Sequence, residues 1–216
     1  MMKKRVQIYT GFERFWHWTQ AILVLFLALT GFEIHGSIRF FGFEEAVTYH
    51  NIAAYLLIAL IVFAIFWHFT TGQWRQYVPT LENVRAQLEY YVFGIFRNAP
   101  HPTKKTALSK LNPLQKITYF LLKVFLFPLI VVSGLLYMFY RYPTRYGIEA
   151  INIESLRFIA IAHTLGAFLM VAFVILHVYM TTTGETALSN LRAMMTGYED
   201  MDEPEPAPTA QEVTQS

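Results

Sequence analysis

Four runs of this sequence, at about residues 15–34, 50–70, 114–139 and 157–182, are each long and apolar enough to cross a hydrocarbon core, which takes about 20 residues of helix. Water does not reach a peptide group inside a bilayer, so each crossing must satisfy its own backbone hydrogen bonds. Four such runs imply an all-α integral membrane protein, a four-helix bundle with short interfacial helices. Composition agrees: 55% of the 216 residues are hydrophobic and 15% are charged, against about 25% charged in a soluble domain. Cysteine is absent. That excludes disulfides, thiolate-held metals, iron–sulfur clusters and thioether-attached haem as intrinsic features. No cleavable signal peptide is expected, because the apolar run after "MMKKR" starts late and lacks a small-residue cleavage site.

Lys and Arg placement gives the orientation. Lys3, Lys4, Arg5 and Arg14 flank the first run, and Arg75, Arg85, Arg97, Lys104, Lys105, Lys110 and Lys116 occupy the segment between the second and third, with Arg192 after the fourth. The opposite side holds only Arg39, Arg141, Arg145 and Arg157. Twelve against four puts both termini in the cytoplasm. Residues 1–198 read as one transmembrane domain. Within its long inner loop, "PTLENVRAQLEYYVFGIF" reads as an interfacial helix, and "TTTGETALSNLRAMMTGYE" as a short surface helix. Pro128 should bend the third span. Residues 199–216 are acidic, proline-containing and poor in large apolar side chains, which predicts a disordered tail.

The chemistry is carried by histidine. Six of the seven histidines lie at span ends, with His17, His68 and His177 on the inner side and His35, His50 and His163 on the outer side. His101 falls in the inner loop. A single histidine near a helix end is ordinarily an interfacial residue, but two layers of three are not, and intramembrane ionisable groups point to function. His163 and His177 are fourteen positions apart, so they share one helix face about 21 Å apart along the axis. That suits two haems stacked across a membrane, each taking one axial imidazole from the fourth helix, with the opposite imidazoles coming from facing helices. Spacing alone does not choose them. His17 to His35 and His50 to His68 are both eighteen positions apart, again on one face.

Four stretches, "RFWHW" opening helix 1, "YHN" opening helix 2, "NPLQK" opening helix 3 and the His pair of helix 4, resemble the bacterial cytochrome b561-type di-haem membrane subunits. These serve respiratory formate dehydrogenase, nickel–iron hydrogenase and thiosulfate-reductase-like complexes. The resemblance covers about residues 5–198. It implies that His17 and His177 ligate an inner haem b, and that His50 and His163 ligate an outer haem b. It also implies a quinone site, menaquinone or ubiquinone, at Asn112 and Gln115, where Leu114 stands in place of the glycine common in the family. His35 and His68 are left over; His68 is a candidate for proton exchange with the quinone, since imidazole changes charge near neutral pH. Asn112-Pro113 also reads simply as a helix start. Gly31, Gly134 and Gly166 are candidates for close approach to a flat macrocycle. Arg14, Arg75, Arg141, Arg145 and Arg157 lie near the two edges, where propionates need cations. Lys123 is expected to snorkel to the inner surface. Glu13 and Glu33 have no assigned role.

The expected function is an electron-transfer subunit, not an enzyme on its own, in a bacterial inner membrane. It would link the quinone pool to an outer-side catalytic or electron-carrying subunit, an iron–sulfur or multihaem protein. Its other partners are lipid and quinone, with nothing pointing to nucleic acid. The rival readings are a metal or proton transporter using membrane histidines, a structural anchor with incidental histidines, and a stand-alone quinone oxidoreductase.

Overall fold

A computed structural model of the protein describes residues 3–97, 99, 102, 110–140, 153–184 and 186–202. A short strand β1, Lys3–Gln7, leads into α1, Gly11–Ile34. Helix α2 spans Phe43–Thr71, and α3, Val84–Glu89, continues through a π turn and a 3-10 turn to Arg97. Helix α4 runs in three continuous pieces, Pro113–Leu121, Leu122–Leu126 and Phe127–Tyr140. Helix α5 spans Ile153–Thr181, followed by α6, Ser189–Thr196, and β2, Tyr198–Asp202. Among the described residues, helices α1, α2, α4 and α5 have the length and hydropathy to cross a membrane.

Local chemistry sets their ends. Thr10 and Glu13 form a reciprocal capping box that starts α1, with Glu13 N–H donating to Thr10 Oγ1 at 3.3 Å and Thr10 N–H to Glu13 Oε2 at 2.7 Å. Gly72, at φ +72°, closes α2 in the left-handed conformation that glycine adopts without strain. The helix that contains Pro128 changes its hydrogen-bond pattern just before that residue. Proline has no N–H for the carbonyl four residues back, and Leu122–Leu126 widens into a π turn in which Phe127 N–H reaches Leu122 O. Helix α2 starts seven residues earlier than position 50, so His50 lies two turns inside its helix instead of at the mouth.

The bundle core is a narrow apolar waist. Val24 of α1, Leu57 of α2, Leu122 and Phe127 of α4, and Met170 of α5 are buried together. Val24, Leu57 and Met170 each lie seven residues beyond a histidine, at 17, 50 and 163. The waist therefore sits about two turns from each histidine layer and separates them. Large apolar side chains such as Ile22, Phe66, Phe125 and Phe168 face outward and exposed, which only a lipid surround tolerates on this scale.

The two ends of the described chain are tied together. Strand β1 pairs antiparallel with β2, from Lys3 opposite Asp202 to Gln7 opposite Tyr198. Ile8 and Tyr9 N–H groups both donate to Gly197 O. Arg14 Nη1 and Trp18 Nε1 donate to the carbonyls of Met195 and Met194, capping α6. This corrects the reading of residues 199–216 as a disordered tail: residues 199–202 are strand, because β1 offers unpaired backbone groups that composition does not reveal. Residues 203–216, His101, Lys104, Lys105, Arg141 and Arg145 lie outside the described residues.

Both unassigned acids find structural roles. Glu13 pairs with Lys110 Nζ at 2.8 Å, and both side chains are about one-tenth exposed (10% and 11%). Glu33 Oε1 accepts N–H bonds from Phe40, Phe41 and Gly42 at 2.7–2.8 Å, fixing the loop between α1 and α2. Breaking a buried pair leaves an uncompensated charge. Glu13→Gln should therefore lower unfolding stability in detergent by about 3 kcal/mol. Removing the exposed Arg85–Glu89 pair, at 92% and 60% exposure, should change it by no more than about 0.5 kcal/mol. Thermal melts of the two variants check the contrast.

Candidate functional site

Four histidines face one another in two layers of the bundle. At the end that carries the tied termini, His17 of α1 and His177 of α5 face each other with ring centres 6.0 Å apart. At the far end, His50 of α2 and His163 of α5 stand 6.3 Å apart. An iron between two imidazoles sits about 2 Å from each ring nitrogen, and each nitrogen lies about 1.1 Å from its ring centre, so such ring centres stand about 6.2 Å apart. Both separations match. All four residues are half-buried. Among the described residues no group of three or more His, Cys, Asp or Glu side chains converges. Pairs are what a porphyrin iron takes from a protein, whereas a bare zinc ion takes three or four ligands.

The pair at the far end is held by hydroxyls. Thr30, fully buried, donates its one hydroxyl proton to the backbone, with Phe26 O at 2.9 Å and Leu27 O at 3.2 Å. Its oxygen lies 2.9 Å from His50 Nδ1. Ser133, also buried, donates to Leu129 O, and its oxygen lies 3.2 Å from His163 Nδ1. Ile130 O, which can only accept, lies at the same 3.2 Å. In the tautomer that carries the proton on Nδ1, both rings donate to these oxygens and both Nε2 lone pairs are left for a metal. Thr30 and Ser133 were not singled out from the sequence. The signal that would have found them is that each precedes a glycine, Thr30-Gly31 and Ser133-Gly134, in the middle of an apolar helix.

Those glycines make room. A Cβ on Gly31 would lie 3.6 Å from His50 Cε1, and one on Gly134 would lie 3.0 Å from His163 Cε1. Gly166 has a different job: a Cβ there would lie 2.7 Å from Ile130 Cγ1 of α4, so it permits close packing of α4 on α5.

The layer at the end with the tied strands is more polar and more aromatic. Phe173 stacks on His177 at 5.7 Å, and the Tyr119 hydroxyl is 3.5 Å from His177 Nδ1. His68 is buried, with Nδ1 2.6 Å from Ala64 O and Nε2 3.4 Å from the Tyr77 hydroxyl. Burial, then the nearby Glu13 carboxylate, pushes the Tyr77 phenol above its ordinary value, so it stays a neutral donor. Lys123 points to this end, as expected, but stops over aromatic faces, with Nζ 3.0 Å from the Tyr77 ring centre and 5.4 Å from that of Trp16. Trp16 Nε1 is buried without a hydrogen-bond partner among the described residues.

Asn112 and Gln115 are committed to the start of α4. Gln115 N–H donates to Asn112 Oδ1 at 2.8 Å, Asn112 N–H to Gln115 Oε1 at 3.0 Å, and Asn112 Nδ2 to the Tyr91 hydroxyl at 3.0 Å. His35 is exposed at the C-terminal cap of α1. Arg14 serves α6 as described, and Arg75 stacks on Trp74 at 5.9 Å.

The model of the prokaryotic cytochrome b561 family matches residues 8–197. The chain belongs to that family. This b561-type protein is a membrane cytochrome that binds b-type haem and transfers electrons. It is similar to a protein of Escherichia coli (strain K12) that carries the name cytochrome YdhU, at 28% identity over 200 residues, covering 90% of this chain and 75% of that one.

The glycine contacts make a graded expectation for this cytochrome. Helix propensity alone favours alanine over glycine by about 1 kcal/mol, yet a methyl at 134 presses on the His163 ring. Gly134→Ala should lower the haem content of the purified protein, while Gly31→Ala, with ordinary contact distance, should leave it unchanged. A pyridine haemochrome assay measures both.

Proposed function

We propose that this cytochrome holds two haems b and passes electrons between a partner on the outer face of a bacterial inner membrane and the quinone pool. His17 and His177 ligate the inner haem, and His50 and His163 the outer one. One observation carries the reading: two imidazole pairs at opposite depths, each with the separation an axially ligated iron needs. The haems, when bound, would supply one-electron couples. The chain holds the rings, shapes the cleft between helices and keeps the two centres apart with the apolar waist. The Lys and Arg distribution, twelve against four, supports an inner end that carries the termini.

The quinone, menaquinone or ubiquinone, takes its electrons or protons at the inner end. His68, Tyr77 and Trp16 support this better than Asn112 and Gln115. The buried Trp16 N–H lacks an acceptor among the described residues, which a quinone carbonyl would provide. His68 beside it can exchange a proton, whereas the amide pair is engaged in the capping box. The outer-side partner is an iron–sulfur or multihaem subunit that carries the substrate chemistry. Four of the described histidines form two pairs, and among the described residues no cluster of three or more ligands exists, which favours this reading over ion transport through a three- or four-ligand site.

Two outcomes follow. His17→Ala and His50→Ala should each leave one haem per chain in a reduced-minus-oxidised spectrum with haem assay; two haems retained in both would remove these ligands. His68→Ala should keep both haems but slow haem reduction by a quinol analogue at least tenfold in stopped-flow; an unchanged rate would take His68 out of the quinone step.

A further inference from the structure

We propose that Thr30 and Ser133 hold the redox potential of the outer haem below that of the inner one, by accepting hydrogen bonds from the Nδ1–H groups of its two ligands. The inference rests on the two-haem reading above. Its basis is an asymmetry between the layers. Both outer imidazoles donate to oxygen, His50 to Thr30 at 2.9 Å and His163 to Ser133 and Ile130 O at 3.2 Å. Of the inner pair, His177 has only the Tyr119 hydroxyl at 3.5 Å, the limit of the hydrogen-bond range, and His17 has no hydrogen-bond partner among the described residues.

An imidazole that donates from Nδ1 becomes more basic at Nε2. A more basic ligand favours the ferric over the ferrous state, so the couple moves to lower potential. The two hydroxyls are suited to the task because each is buried and each has spent its own proton on a carbonyl one turn back. The acceptor lone pair is thereby aimed at the ring with no other choice. The following glycine, 31 or 134, lets that ring lie against the helix. Thr30 on α1 and Ser133 on α4 thus act as positioning residues from two helices on one haem. The consequence is direction: an electron entering at the outer end rests by preference at the inner end, next to the quinone.

The test is a potentiometric titration of the purified holoprotein and its variants, with haem content measured on each. Thr30→Val keeps the volume and loses the acceptor; Ser133→Ala does the same with a shorter side chain. Thr30→Val should raise one of the two midpoint potentials by up to about tenfold in the electron equilibrium, ~59 mV for a one-electron couple. Ser133→Ala should raise the same potential by less, because Ile130 O still accepts from His163. Thr30→Ser should stay at the wild-type value. The potential that moves must be the one missing from His50→Ala. Two haems retained with neither potential moved, a shift shared by both haems, or a fall in potential would each overturn the proposal. Loss of a haem from Thr30→Val or Ser133→Ala would do so too, since the hydroxyl would then be holding the ring in place and not tuning the iron. A His50→Ala protein that keeps two haems would instead sink the ligand assignment on which the proposal stands.

Discussion

The structure depends on two histidines that share one face of α5, His163 and His177, four turns apart. A helix has one inward face, so both rings must look into the bundle if either does. Each then needs a partner at its own depth from another helix. The bundle supplies His50 from α2 at one depth and His17 from α1 at the other. Much of the remaining architecture can be read as a consequence. Helix α2 is long enough to bring His50 two turns inside its N-terminal end, and α1 starts at Gly11, six residues before His17, behind a Thr10 cap.

Between the layers, Met170 lies midway on the same face of α5 and packs with Val24, Leu57, Leu122 and Phe127. Dense apolar packing at that level excludes water and ions, which keeps the two ends chemically separate. The polar groups then segregate by end. The far end has small hydroxyls beside its rings, while the terminal end has Tyr77, His68, Lys123 and Trp16 in a cage of aromatic faces. The two ends of the bundle thus differ in the chemistry of their linings, hydroxyls at one and ionisable and aromatic groups at the other.

The spans and the histidine layers were legible in the sequence because both follow from one-dimensional quantities. Run length sets a crossing, and 3.6 residues per turn sets a face. The choice of partner for each α5 histidine was not legible from spacing, since His17 and His35, or His50 and His68, fit the helical period equally. It depends on which helices are neighbours and how far each extends beyond the bilayer. Helix α2 beginning at Phe43 and not near 50 decides the depth of His50. Thr30 and Ser133 were overlooked because a lone hydroxyl in an apolar run ordinarily bonds its own helix. These do so, and accept from a neighbour as well. The pairing of β1 with β2 was invisible for a related reason: composition reports the polarity of residues 199–202 but not a strand two hundred positions away.

The account stands on paired imidazoles, and low-temperature electron paramagnetic resonance of the oxidised, purified protein tests them most directly. Spin quantification should give two low-spin ferric centres per chain, neither altered by cyanide or azide during the experiment, because no axial position is open. A high-spin ferric signal of comparable intensity, or a single iron centre per chain in fully haem-loaded protein, would contradict it.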